Sequence, residues 1–331
     1  MKKKYNVYGI GNALVDFEFT VEDQFIKEHN VEKGVMTLVD EDRQHKLIKD
    51  IDHNDAEMKS GGSAANTVIA VSQFGGKAYY SCKVANDQFG DFYLNDMKEA
   101  GIKTNLDDEE RPEGITGKCL VMITEDAERT MNTYLGITSE LSVKEIDEYA
   151  IKDSEYVYIE GYLVATDAGH EAMKMTKKLA EENSIKTALT LSDPSMVELF
   201  TERFRDVIGA SVDLLFCNEK EALVFTGTDN IVEAREALKQ DAKKFVITQG
   251  ANGAMIFDGD TFIDIEPYQT KAVDTNGAGD MYAGAFLYGI THDMGYAGAG
   301  KLASLASSRI VAQYGPRLAW HEAQEVLHKI K

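Results

Sequence analysis

The chain has 331 residues, with 35 basic against 56 acidic side chains and a net charge of −21. That length buries one large core, or one core with a small appended subdomain, and so acidic a balance argues against nucleic acid or anionic membrane as partners, since both need a basic footprint. Three cysteines, Cys82, Cys119 and Cys217, stand in apolar strand-like contexts without zinc spacing or CxxC, and no apolar run nears the ~18 residues of a bilayer span, so reduced thiols and a cytoplasmic location are expected.

Along the chain, short β-rich runs alternate with helical patterns: "YNVYGIG", "AANTVIAVSQFGG", "KAYYSCKV" and "QFGDFYLNDMKEAG" come first. Then follow "EYVYIEG", "GHEAMKMTKKLAEENS", "KTALTLSD", "VDLLFCN", "EKEALVFTG" and "KKFVITQG", and helices dominate from Gly277 to the end. This alternation predicts an α/β fold with a largely parallel central sheet flanked by helices. Two segments break the rhythm, residues 13 to 38 and 115 to 135, where "ALVDFEFTV", "KGVMTLV", "ITGKCLVMIT" and "RTMNTYL" follow each other without the long helices that parallel crossovers need. Short connections imply antiparallel pairing, and the economical reading is a small inserted β-sheet placed like a lid; a pair of edge hairpins is the alternative. With four prolines and no linker tract, residues 1 to 331 read as a single domain.

Polar residues gather at the strand-to-helix junctions, where open α/β sheets place ligands. "GIGNALVD" sets Asn12 and Asp16 after the first strand, two groups suited to a polyhydroxy ligand, though a turn explains Asn12 nearly as well. In "SGGSAANT", Gly61 and Gly62 allow close backbone approach ahead of a helix carrying Asn66, which an ordinary capped helix start would also produce. "CNEKEA" puts Asn218 and Glu221 on one face of a first helical turn, able to hold hydrated Mg²⁺ and phosphate oxygens or simply to cap the helix. "ITQGANGA" places Thr248, Gly250 and Gly253 in a turn that is either a plain hairpin or a nucleotide-phosphate loop.

The sharpest signal is "DTNGAGDMYAGAF". Glycine is costly inside a helix, so Gly277 and Gly279 mark an entrance near Asn276, and the free N–H groups there, beside Ala278, form an anion site that a phosphate can approach unobstructed. Asp280 follows on the first turn. A carboxylate repels a phosphate at that spot unless it has work to do, and taking a proton from an attacking hydroxyl is such work. No P-loop GxxxxGK[ST] is visible, so the helix entrance must serve instead.

Together "GGSAAN", "NEKE", "TQGANG" and "DTNGAGD" resemble the ribokinase family of sugar and nucleoside kinases, also called the PfkB family, over nearly the whole chain. The resemblance implies a ribokinase-like fold with a β lid, ATP as co-substrate with Mg²⁺, and phosphorylation of a hydroxymethyl group. It implies Asp280 as base, the amides of 277 to 279 as anion hole, Asn12, Asp16, Gly62 and Asn66 as sugar contacts, Asn218 and Glu221 near Mg²⁺, and a K⁺ site formed near Asp274 and Asn276 with "AQYGPR". Segments "GNALVD" and "ERTMNTYLG" look like those of bacterial nucleoside kinases, adenosine kinases among them, and Phe17, Phe19, Met36, Met131 and Tyr134 offer surfaces on which a purine could stack; packing within the lid is the alternative. Arg129 is either a phosphate clamp from the lid or a solvated strand-edge side chain. Ala85 in "VANDQFGD" departs from the more usual glycine and leaves contacts of that loop open. Small-molecule substrates are the expected partners, with a monomer or a homodimer through the lid. A bare sugar is the alternative acceptor, and an inactive sugar or nucleotide sensor a further one; the presence of Asp280 and Glu221 weighs against the sensor.

Overall fold

A computed structural model describes residues 3–51, 57–107, 110–126 and 128–330. Among them, nine strands form the main sheet: β1 (Tyr5–Ile10), β5 (Ala78–Ser81), β6 (Lys103–Thr104), β9 (Ser154–Ile159), β10 (Lys186–Thr190), β11 (Leu214–Asn218), β12 (Phe245–Thr248), β13 (Ala254–Phe257) and β14 (Phe262–Ile265). Five more form a second sheet: β2 (Leu14–Thr20), β3 (Met36–Leu38), β4 (Glu57–Gly61), β7 (Gly117–Ile123) and β8 (Arg129–Tyr134).

The main sheet runs β14-β13-β12-β11-β10-β9-β1-β5-β6, parallel from β12 to β6, with β13 and β14 added antiparallel at one edge. Its strands are apolar on both faces because helices cover both. On β1, Val7 joins one core layer with Val68 and Phe286 from the helices Ser63–Gln73 and Ala278–Thr291, while Tyr8 and Ile10 join the opposite layer with Met173, Phe204 and Phe225. Each layer buries its helices' apolar stripes, so the strand ends that carry polar residues are held rigidly at one rim of the sheet.

The second sheet runs β3-β8-β7-β2-β4. The expectation of antiparallel pairing holds for β7 with β8, joined by a short turn, and for β2 with β4. It fails for β2 with β7 and β3 with β8, which are parallel because they come from distant parts of the chain and no hairpin sets their direction. Strand β4 was not anticipated: "EMKSG" lacks alternating apolar residues and reads as mere approach to the helix at Ser63. The outer face of this sheet is closed by the helices Asp23–Glu28 and Glu41–Asp50, through Phe19, Leu120 and Met122 packed with Ile26 and Leu47.

Candidate active site

The two sheets face each other across a cavity of about 330 Å³ at the carboxyl ends of the main-sheet strands. Its floor is the start of the helix Ala278–Thr291. Gly277 caps that helix at φ 73°, and a Cβ there would run into Pro316, so only glycine fits this entrance. Gly279 differs: a Cβ would meet nothing within 4 Å, because the position opens on the cavity. Ala278 lies outside the lining, its carbonyl accepting from Ser307 Oγ at 2.9 Å.

Asp280 is held from the neighbouring helix, with Ser63 Oγ donating to Oδ1 at 2.6 Å and Asn66 Nδ2 donating to Oδ2 at 3.2 Å. Each oxygen keeps a further lone pair. Burial lifts the carboxyl from 3.8 to about 6, against the two hydrogen bonds, which favour the ionised form. It can therefore accept a proton near neutral pH.

Asn12, Asp16, Gly62 and Asn66 converge on the same cavity from β1's end, β2 and the helix start. Gly62 takes φ 103° with its α-carbon against the Asn12 carbonyl. Gly61 does not line the cavity; the Asp16 carboxylate occupies the space its side chain would need, so its role is to seat Asp16.

Glu160, at the end of β9, was missed by the sequence reading. It is 1% exposed and lines the cavity, with Oε1 accepting from Asn12 N at 3.1 Å and Asn12 Nδ2 at 3.0 Å, and Oε2 from Ala64 N at 2.8 Å. Gly11 has no side chain because this carboxylate fills the place of one. Burial raises its carboxyl to about 7; the Asp280 charge adds to the rise and the donors oppose it. An acid closing the apolar run "YVYI" was the signal available. Ser63 lies within "GGSAAN" and Arg317 ends "AQYGPR", but no spacing within either segment marks the residue itself.

Asn218 and Glu221 form a reciprocal cap: Asn218 N and Nδ2 donate to Glu221 at 2.9 and 2.6 Å, and Glu221 N donates to Asn218 Oδ1 at 2.8 Å. Both also line the cavity, and burial raises the Glu221 carboxyl to about 7. Thr248 lines it too, but Gly250 and Gly253 do not. Their φ of 56° and 89° serve the tight turn between β12 and β13. Asp274 is buried outside the cavity, its carboxylate accepting from Asn276 N and Gly315 N at 2.9 Å each and thereby binding two loops together, while Asn276 reaches the lining.

Strand parity divides the lid residues. Leu14 and Asp16 on β2, Met36 and Leu38 on β3, Cys119 and Val121 on β7, and Met131 and Thr133 on β8 face the cavity. Cross-strand pairs Asp16 with Cys119 and Val121 with Met131 fix that register. Phe17, next to Asp16, must point the other way, and it packs on Phe19 and Phe89 with ring centroids at 6.4 and 5.6 Å. Tyr134, three residues from Met131, likewise faces outward, its hydroxyl 3.5 Å from Glu41. Phe17, Phe19 and Tyr134 therefore turn away from this cavity, whereas Met36 and Met131 line it. The side chain of Arg129 lies outside the described residues. Ala85 is buried, its N–H donating to Thr116 Oγ1 at 3.1 Å.

Among the described residues no helix is long and apolar enough to cross a membrane, and no group of three or more His, Cys, Asp or Glu could hold a metal ion by itself. The family model for pfkB carbohydrate kinases matches residues 35–323. The fold is similar to that of adenosine kinase from Sinorhizobium meliloti, 33% identical over 98% of this chain and 99% of that one with a TM-score of 0.91. It is equally similar to a probable sugar kinase from Rhizobium etli, 33% identical over 99% and 100% of the two chains with a TM-score of 0.91. In sequence, the adenosine kinase of Saccharomyces cerevisiae is 26% identical over 303 residues, 85% of this chain and 87% of the yeast protein.

Proposed function

The chain belongs to the pfkB family of carbohydrate kinases, phosphotransferases with an alcohol acceptor, and from that premise we propose that its acceptor is the 5′-hydroxymethyl group of a nucleoside, adenosine first. The observation that carries this reading is the two-part cavity. Asn12, Asp16, Asn66 and Asp280 suit the hydroxyls of a ribose, while Met36, Val121, Met131, Leu163 and Met196 line the same space with apolar surface for a flat base. The likeness to the Sinorhizobium adenosine kinase supports it. The equal likeness to the Rhizobium probable sugar kinase supports a second reading, a bare sugar as acceptor.

Asp280 takes the proton of the attacking hydroxyl, with Ser63 and Asn66 fixing its two oxygens. The open backbone at Gly279 and the helix N-terminus hold the transferred phosphoryl group, where positioning and charge neutralisation supply most of the rate. ATP with Mg²⁺ fits this arrangement: the bound ion neutralises charge on the donor phosphates. Each Glu221 oxygen accepts one bond from Asn218 and keeps a further lone pair, with which the pair would hold hydrated Mg²⁺ through water. Loops drawn together by Asp274 leave backbone carbonyls near Asn276 as candidates for K⁺; equal rates in K⁺ and tetramethylammonium salts would remove that role. A coupled ATP-consumption assay with adenosine, other nucleosides, ribose and fructose tests the acceptor. Adenosine should give the highest kcat/KM, and preference for ribose or fructose would overturn the nucleoside reading.

A further inference from the structure

Arg317 touches three elements at once and has no part in the chemistry above. Its side chain is 14% exposed, and it lies between the last two helices, beyond the segment that packs on the helix entrance. Nη1 donates to Asp96 Oδ2 at 2.7 Å, Nη2 to Ser60 Oγ at 2.8 Å, and Nε to Asn66 Oδ1 at 3.3 Å. Ser60 also donates its backbone N–H to the same Asp96 oxygen at 3.0 Å.

The Asn66 end matters because an amide has two faces that look alike in shape and are opposite in chemistry. A guanidinium can only donate, so the atom it holds is the Asn66 oxygen; an ionised carboxylate can only accept, so the atom Asp280 holds is the Asn66 nitrogen. The two contacts therefore select one orientation of the amide. Without the guanidinium, rotation by half a turn would cost nothing on that side and would set a carbonyl oxygen against the Asp280 carboxylate.

We infer that Arg317 is a positioning residue for the transfer step: by fixing the Asn66 carbonyl, it keeps the Asn66 NH₂ on Asp280 and the Asp280 oxygens aimed into the cavity. Asp96 and Ser60 anchor the guanidinium from the helix Gln88–Glu99 and from β4, so the orientation of the base's partner is set by a brace reaching into the lid sheet. The two residues before Arg317 also belong to the site's frame, since Gly315 N donates to Asp274 and Pro316 abuts Gly277. The inference rests on the reading of Asp280 as general base.

Its test compares Arg317→Met, Arg317→Lys, Asn66→Ala and the double variant Arg317→Met/Asn66→Ala in steady-state kinetics and kcat–pH profiles. Loss of one hydrogen bond to a charged group corresponds to about tenfold in rate and about one pH unit. Arg317→Met should lower kcat by about that factor and move the acid limb of the profile upward, because the ionised form of Asp280 loses a donor. Glu160, Tyr158 and Tyr162 also face Asp280, so the upward move should persist when Glu160→Gln is added. In the Asn66→Ala background Arg317→Met should change neither quantity further. Arg317→Lys keeps the charge and loses the forked geometry, and should fall between; it carries the same comparison if the methionine variant does not fold. An unchanged profile in Arg317→Met or Lys, or equal effects with and without Asn66, overturns the inference. Asp280→Asn separates the two failures: near-normal turnover there sinks the base, whereas loss of turnover there with an indifferent Arg317 sinks only the brace.

Discussion

Asp280 should impose its own titration on the rate. Burial sets its carboxyl at about 6, and general-base work requires the ionised form. For one titrating group at that value in the unliganded protein, about nine-tenths is ionised at pH 7 and about one-tenth at pH 5, so kcat/KM for the acceptor should fall roughly tenfold between them. The sign is set by the charge state: activity is lost as pH drops through about 6 and is level above pH 7. Asp280→Asn keeps the shape and the contact to Ser63 but accepts no proton, and should lower kcat at least ~100-fold with a flat profile and little change in nucleoside affinity. The assay is stopped-time product formation across pH 5 to 8 with ionic strength held constant. A wild-type kcat/KM level from pH 7 to 5, or an asparagine variant near wild-type rate, would refute the assignment.

Three further outcomes follow from neighbouring geometry. Gly279→Val should raise the KM for ATP far more than that for the acceptor, since its side chain would enter open cavity where phosphate must approach the backbone; unchanged ATP kinetics would put the anion site elsewhere. Glu160 and Glu221 have folded-state values near 7 against 4.5 for the free side chain, so between about 4.5 and 7 the native state holds protons that the unfolded chain has released, and stability falls as pH rises through that window. Glu160→Gln should flatten the slope of urea-unfolding free energy in that window by up to ~1.4 kcal/mol per pH unit, and an unaltered slope would show that Glu160 does not titrate there. Met131→Ala should raise KM for adenosine and spare any residual rate with ribose, whereas Phe17→Ala should cost roughly 2 kcal/mol of stability with the adenosine-to-ribose ratio intact; a selective loss with Phe17→Ala would contradict the strand register.

The main sheet was readable because its strands are continuous apolar runs separated by helices with their own periodicity, a pattern that topology rules convert into a parallel arrangement almost without choice. The helix entrance at Gly277 was readable for a local reason, since glycine, small residues and an acid in sequence leave few alternatives. The lid was harder. Its strands carry apolar residues on both faces, one set for the cavity and one for the covering helices, so composition could not say which of Phe17, Met36, Met131 and Tyr134 belonged to which face. Parity could have said part of it: Asp16 and Phe17 are adjacent and cannot share a face, and neither can Met131 and Tyr134.

Glu160, Ser63 and Arg317 escaped for a different reason. Each acts on a group far away in the chain, Glu160 on Asn12 across 148 residues and Arg317 on Asn66 across 251, so no spacing rule reports them. What they share is electrostatic necessity. A site that gathers Asp16, Glu160 and Asp280 around one small cavity in a chain of net charge −21 must distribute donors to each carboxylate, or burial will protonate it. Asp280 has Ser63 and Asn66, and Glu160 has the Asn12 and Ala64 amides. Asn66 in turn has a single oxygen to be satisfied, and the only chemistry that satisfies it without competing for Asp280 is a pure donor. Arginine is such a donor, and it places a cation at the back of an acidic site, one residue removed from Asp280.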